Sequence, residues 1–85
     1  MYDIVFTKRG ADDYKKLERL TRKRVNALLM RCNINPLKYF KKLHNTDAFR
    51  ARVGNYRIIA SIDTKKKVLA VLRIAHRKKI YKIFK

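Results

Sequence analysis

The stretch from Ala48 to Asp63 constrains the fold more than any other part of the chain. Phe49, Ala51 and Val53 alternate with Arg50 and Arg52, Gly54-Asn55 supplies a tight-turn pair, and the period of two resumes with Tyr56, Ile58, Ala60 and Ile62 against Arg57. This predicts a β-hairpin with one apolar face. A two-residue turn pairs Val53 with Tyr56, so Arg52 falls opposite Arg57, with Arg50 two residues along on the same side. Like charges placed directly opposite destabilise a sheet, and an anion in the gap relieves them.

The rest of the chain has to build a core for that face. Tyr2 to Phe6 reads as a first strand. Gly10 is read as a break, after which Asp12 and Asp13 suit a helix N-terminus, giving a helix from about Ala11 to Leu20 with Tyr14, Leu17 and Leu20 inward. Thr21 is positioned to cap a second helix whose stripe is Val25, Leu28, Leu29 and Cys32, ended by Asn33, Asn35 and Pro36. Leu37 to Leu43 is a connection anchored by Tyr39, Phe40 and Leu43. After the return strand Tyr56 to Asp63 comes a basic turn, Thr64 to Lys67, and a third strand, Val68 to Ile74. Ile80 to Phe84 forms a short tail. The predicted class is α+β: an N-terminal strand, an α-helical hairpin, and a three-stranded antiparallel meander completing a four-stranded sheet. The 85 residues make a single domain, 1–85, because so short a chain cannot build two cores.

The register of the second hairpin depends on its loop. A three-residue loop, Thr64-Lys65-Lys66, sets Arg73 opposite Arg57, whereas a two-residue loop drives Arg73 into the apolar face. Burying an unpaired guanidinium is costly, so the first is expected.

Charge then narrows the function. Twenty-four Lys and Arg against six Asp and Glu give a net charge of +18, which attracts polyanions. Residues 38–85 hold 15 of the cations against only Asp47 and Asp63. Nucleic acid is the expected partner. A membrane is not, because the apolar positions are needed for a core. No apolar run approaches the ~20 residues of a transmembrane helix, and Asp3 does not suit a secretory signal, so the expected location is cytoplasmic. Cys32 is the single cysteine, so no internal disulfide forms, and its place on an apolar stripe makes it packing.

RNA is cut without metal when a 2′-hydroxyl loses its proton, the phosphorane charge is stabilised, and the leaving 5′-oxygen gains a proton. Arginines suit the middle task, but with pKa values above ~12 they do not exchange protons readily. His76 and Tyr81 flank the cationic run Arg77-Lys78-Lys79 and are the candidates for proton transfer, with His44 a distant third. The plainer readings are a solvated basic face, an incidental His76, and a Tyr81 that packs with Ile80 and Ile83. No Cys/His cluster, Gly-rich phosphate loop or carboxylate pair is present, so neither metal nor cofactor is expected.

Phe49-Arg50-Ala51-Arg52-Val53-Gly54-Asn55-Tyr56-Arg57-Ile58-Ile59, followed by Ile74-Ala75-His76-Arg77-Lys78-Lys79-Ile80-Tyr81, resembles the RelE/ParE toxin superfamily, and within it the RelE-like mRNA interferases. The resemblance spans nearly the whole chain. It implies a microbial-RNase-like endoribonuclease, the toxin of a type II toxin-antitoxin pair, that cleaves mRNA in the ribosomal A site and is silenced by a cognate antitoxin. Carried over by residue, the sheet cations fall on Arg50, Arg52 and Arg57, the second arginine on Arg77 and the C-terminal tyrosine on Tyr81. The expected catalytic set is therefore Arg57, Arg77, Tyr81 and His76, with Arg50, Arg52, Arg73, Lys78 and Lys79 binding RNA. Two departures stand out: the best-known members carry lysines where Arg50 and Arg52 stand, and His76 precedes the motif arginine where another residue can occur. The rival readings are a ParE-like gyrase poison on the same fold, and a non-catalytic RNA- or ribosome-binding module using aromatics such as Tyr39 and Tyr56.

Overall fold

The computed structural model describes residues 1–83, with side chains described through residue 80. In chain order the elements are β1 (Asp3–Phe6), α1 (Lys8–Lys15), α2 (Arg19–Cys32), a 3-10 turn (Pro36–Lys38), β2 (Lys41–Lys42), β3 (Phe49–Val53), β4 (Tyr56–Asp63), β5 (Val68–His76) and α3 (Arg77–Ile83). One sheet is ordered β1-β5-β4-β3-β2, antiparallel except that β1 runs parallel to β5. The α+β class, the helical hairpin and the meander are as expected. The sheet has five strands rather than four, because Lys41 and Lys42, within the expected connection Leu37 to Leu43, pair with Arg50 and Phe49. Two lysines on so short an edge strand also guard it against pairing with another chain.

Gly10 does not break the chain. It is buried inside α1, where an added Cβ would lie 2.2 Å from the Val71 carbonyl oxygen, so its lack of a side chain lets the helix lie against β5. The helix begins earlier than expected because Thr7 caps it, accepting from the Gly10 N–H at 3.1 Å. The Thr7 hydroxyl also approaches the Val71 and Leu72 carbonyls at 3.1 and 3.2 Å, pinning α1 where β1 ends. Thr21, expected as the second cap, lies within α2 instead, and Leu20, expected inward, is 60% exposed.

Leu17, Val25, Leu29, Cys32 and Phe40 close over Ala51, Val53, Ile58, Ala60, Leu69, Val71 and Ile74 to form the main core. The opposite face of the sheet has a smaller one. There Ile59 is buried with Ala48 and Ile80, flanked by Leu43, Leu72 and Ala75. The expected C-terminal tail is thus α3, whose Ile80 covers the sheet centre; Phe84 lies outside the described residues. Among the described residues no helix is long and apolar enough to cross a membrane.

Candidate nucleic-acid interface

The β3-β4 hairpin has the expected register: Val53 pairs with Tyr56, Arg52 with Arg57 and Arg50 with Ile59. Gly54 takes φ 58° in the first turn position, a left-handed conformation that Gly adopts without a side-chain penalty. Side chains alternate across a strand, so Arg50, Arg52 and Arg57 share the face that carries Ile59, away from the helical hairpin. Lys41, paired with Arg50 on β2, joins them. Sequence reading missed it, although the Lys41-Lys42 pair just before the Leu43 anchor was the available signal. Arg52 is exposed, and Arg50 and Arg57 are half-buried. Arg57 Nη1 donates to the Tyr56 carbonyl at 3.3 Å, which holds its guanidinium near the hairpin end.

Arg77 arrives at that same end. It opens α3 directly after β5, and its backbone N–H donates to the Asn55 carbonyl at 2.7 Å, fastening α3 to the hairpin turn. Ala75, two residues earlier, pairs with Arg57. Arg77, Lys78 and Lys79 are exposed along the first turn of α3. Tyr81 falls on α3 one residue beyond the buried Ile80, and its side chain lies outside the described residues. The acidic residues sit elsewhere in the fold: Asp12, Asp13 and Glu18 on or beside the helical hairpin, Asp3 on β1, Asp47 before β3, and Asp63 at the β4-β5 turn, where it accepts from Lys65 and Lys66.

Two expected site residues are placed differently. Arg73 lies opposite Ile59, not Arg57. The β4-β5 turn has four residues, Thr64 to Lys67, with Lys67 at φ 59°, and pairs Asp63 with Val68. Continued unbroken, that register would set Arg73 against Ile58 in the core. A bulge between Ile59 and Ala60 of β4, with Leu72 as the extra residue of β5, shifts the pairing by one, so that Ile74 meets Ile58 and Arg73 leaves the core. Patterning kept the guanidinium out of the interior, but through the bulge rather than the loop. Arg73 then reaches α1, where its Nε donates to Asp13 Oδ2 at 2.7 Å.

His76 is the second. It pairs with Tyr56, and Tyr56 belongs to the helix-facing side of β4, so His76 lies across the sheet from Arg52 and Arg57. The two rings meet edge to face, with centroids 5.6 Å apart and planes at 75°. His76 Nδ1 accepts from the Lys78 N–H at 3.2 Å, which leaves the proton of the neutral ring on Nε2. His44, exposed in the loop before β3, lies far along the chain from this end. Cys32 is buried in the core, which pushes its thiol pKa up to about 11.

The arrangement can therefore hold a string of phosphates across β2, β3 and β4 and gather cations at the hairpin end. Arg is suited to this because its planar fork donates two parallel hydrogen bonds to adjacent phosphate oxygens.

Comparison with known proteins gives a consistent result. The family profile of the ParE toxin of type II toxin-antitoxin systems, parDE, matches residues 4–81. Curated protein sequences yield no match. Among solved structures, the toxin-antitoxin complex RelBE2 of Mycobacterium tuberculosis aligns with TM-score 0.82 at 29% identity, covering 89% of this chain and 98% of that one. A chain of the RelB-RelE complex of Methanococcus jannaschii aligns with TM-score 0.77 at 31% identity, covering 95% and 99%. The isolated E. coli RelE toxin shares the fold at TM-score 0.78 with 18% identity, over 99% and 100%.

Proposed function

Because this chain belongs to the ParE toxin family, within the RelE/ParE superfamily of toxin-antitoxin toxins, we propose that it inhibits translation as a ribosome-dependent mRNA endonuclease. The observation that carries this reading is the crossing of Arg52 and Arg57 on one face, with Arg50 beside them and Arg77 anchored at the same end. That face concentrates guanidiniums where a phosphodiester would neutralise them, and a cleaved phosphodiester needs charge stabilisation most in its transition state.

In the proposed reaction, the 2′-hydroxyl of the nucleotide before the cut loses its proton and its oxygen bonds to the adjacent phosphorus. The P–O5′ bond then breaks, and the departing 5′-oxygen takes a proton. The products are a 2′,3′-cyclic phosphate and a 5′-hydroxyl. Arg57 and Arg77 stabilise the pentacoordinate charge, Arg50 and Arg52 hold the scissile and flanking phosphates, and Tyr81 handles the proton. His76, across the sheet, is not assigned to that step. Lys41, Lys78 and Lys79 extend the basic surface. No cofactor enters the scheme. Substrate order is supplied by the ribosome, and the expected location is the cytoplasm.

The same charge fits a cognate antitoxin with an acidic segment. Such a partner relieves self-repulsion and stabilises the toxin by mass action. The M. tuberculosis and M. jannaschii proteins were both solved as toxin-antitoxin complexes.

A toeprint of translating ribosomes tests the reading. Wild-type protein is expected to cut mRNA in the A site, while Arg77→Ala and Tyr81→Phe each lose about 100-fold or more, the scale of removing one electrostatic or acid-base contribution. Full activity in both variants rejects these roles. The family name also keeps the gyrase reading in play, and stalled gyrase with intact message would select it.

A further inference from the structure

At the same end of the sheet, along β5 beyond its pairing with β1, lies a second feature, of which the cleavage scheme uses only Lys79. Between the C-terminal end of α1, the end of β5 and the start of α3 lies a cleft of about 340 Å³, within the ~300–1,000 Å³ of pockets that bury small ligands. Tyr56 and His76 form one wall as an edge-to-face ring pair, and Lys16 and Lys79 stand in its lining. Its one acidic residue, Asp13, already accepts from Arg73 and from the Ile74 N–H, so the two lysines add positive charge beyond that pair.

We infer that this cleft is a nucleotide subsite: it takes one nucleotide of the RNA flanking the cut, its base against the Tyr56 and His76 rings and its phosphate on Lys16 and Lys79. Planar rings beside cations are what a nucleotide requires, since the base stacks without regard to sequence and the phosphate needs charge. His76 Nε2, left as the donor by the Nδ1 contact, is available to a base or ribose oxygen. Continuity with the arginine face supports the assignment. Ala75 lines the cleft and pairs with Arg57, so the cleft adjoins the arginine face at one end of the sheet. A strand leaving Arg57 reaches the cleft by rounding the Gly54-Asn55 turn, to which Arg77 is fastened. This gives His76 a binding role in place of the proton-transfer role that its position disfavours.

The inference rests on the RNA-cleavage reading, so its test is arranged to fail separately from it. Isotope-labelled full-length protein is titrated with adenosine 3′,5′-bisphosphate, which has no phosphodiester to cut, and in parallel with inorganic phosphate, while NMR follows the amides of Tyr56, Ile74 and His76 beside those of Arg50, Arg52 and Arg57. Ribosome-dependent cleavage is measured on the same preparation. Expected are saturable shifts at those three residues with the bisphosphate, weakened about ten-fold in a Lys16→Ala/Lys79→Ala variant, the scale of two surface charge contacts. Both lysines are exposed, so the variant should keep its fold, which the dispersion of its spectrum verifies. Shifts confined to Arg50, Arg52 and Arg57, or no saturable shift, overturn the subsite while cleavage decides the parent reading. Equal affinity for inorganic phosphate also overturns it, because the ring wall then contributes nothing.

Discussion

Replacing Asp13 with Ala should be among the most damaging single changes at a half-buried polar position in this protein. β1 covers the outer edge of β5 only as far as Val71, and beyond it the edge meets α1. There Asp13 Oδ2 accepts from the Ile74 N–H at 2.9 Å and from Arg73 Nε at 2.7 Å. The Arg73 and Asp13 side chains are 24% and 15% exposed, so neither donor is freely hydrated once the carboxylate is gone. A buried N–H left without an acceptor costs ~1–3 kcal/mol, and the charge-assisted bond to Arg73, discounted for its partial exposure, adds ~1 kcal/mol. The sum, ~2–4 kcal/mol, is a large share of the ~5–15 kcal/mol typical of a domain. At ~4–8 °C per kcal/mol for a chain of this size, Tm should fall by ~8–32 °C. Asp13→Asn keeps an acceptor for Ile74 but loses the charge, and should cost ~1 kcal/mol. Urea unfolding followed by circular dichroism, with Arg73→Ala and the double variant completing a cycle, separates the two contributions. A loss below ~0.5 kcal/mol for Asp13→Ala would refute the reasoning, since the Ile74 N–H would then have found another acceptor.

Gly10→Ala is expected to cost ~2–4 kcal/mol or to prevent folding, because its Cβ would meet Val71 backbone that cannot move aside; denaturant midpoints measure it. Cys32 should resist thiol reagents in the native state and react on unfolding. With its folded pKa of about 11 above the usual thiol value, its contribution is fully present below the unfolded pKa and lost as pH rises through the folded one. Wild-type protein should therefore lose stability between about pH 9 and pH 11 by more than Cys32→Ala does, as unfolding curves across that window would record. Arg52→Gln should raise the stability of the free protein at low salt by ~0.5 kcal/mol by relieving the cross-strand repulsion with Arg57. It should also lower the salt slope of RNA binding by about one phosphate contact, read from affinities at several salt concentrations.

The arginine pair was legible from residue order. A two-residue turn, a period of two on both sides and Gly at the first turn position leave one register open, and that register sets Arg52 against Arg57. The amphipathic stripe of Val25, Leu29 and Cys32 was equally plain, since residues three and four apart on a helix must share a face. These are decisions made within a few residues of chain. The position of Arg73 was settled farther off: the β4-β5 turn alone would have turned it inward, and it is the demand of Ile58 and Ile74 for the same core that places a bulge at Leu72. His76 followed, since a shift of one residue on β5 exchanges the faces of everything beyond it. Likewise Gly10 looked like a break until β5 lay against α1, and the tail around Ile80 found its place only by covering Ile59 on the arginine face. Local geometry sets which residues are neighbours along an element, whereas competition among distant side chains for the same buried space selects where the bulge falls and which helix covers which face.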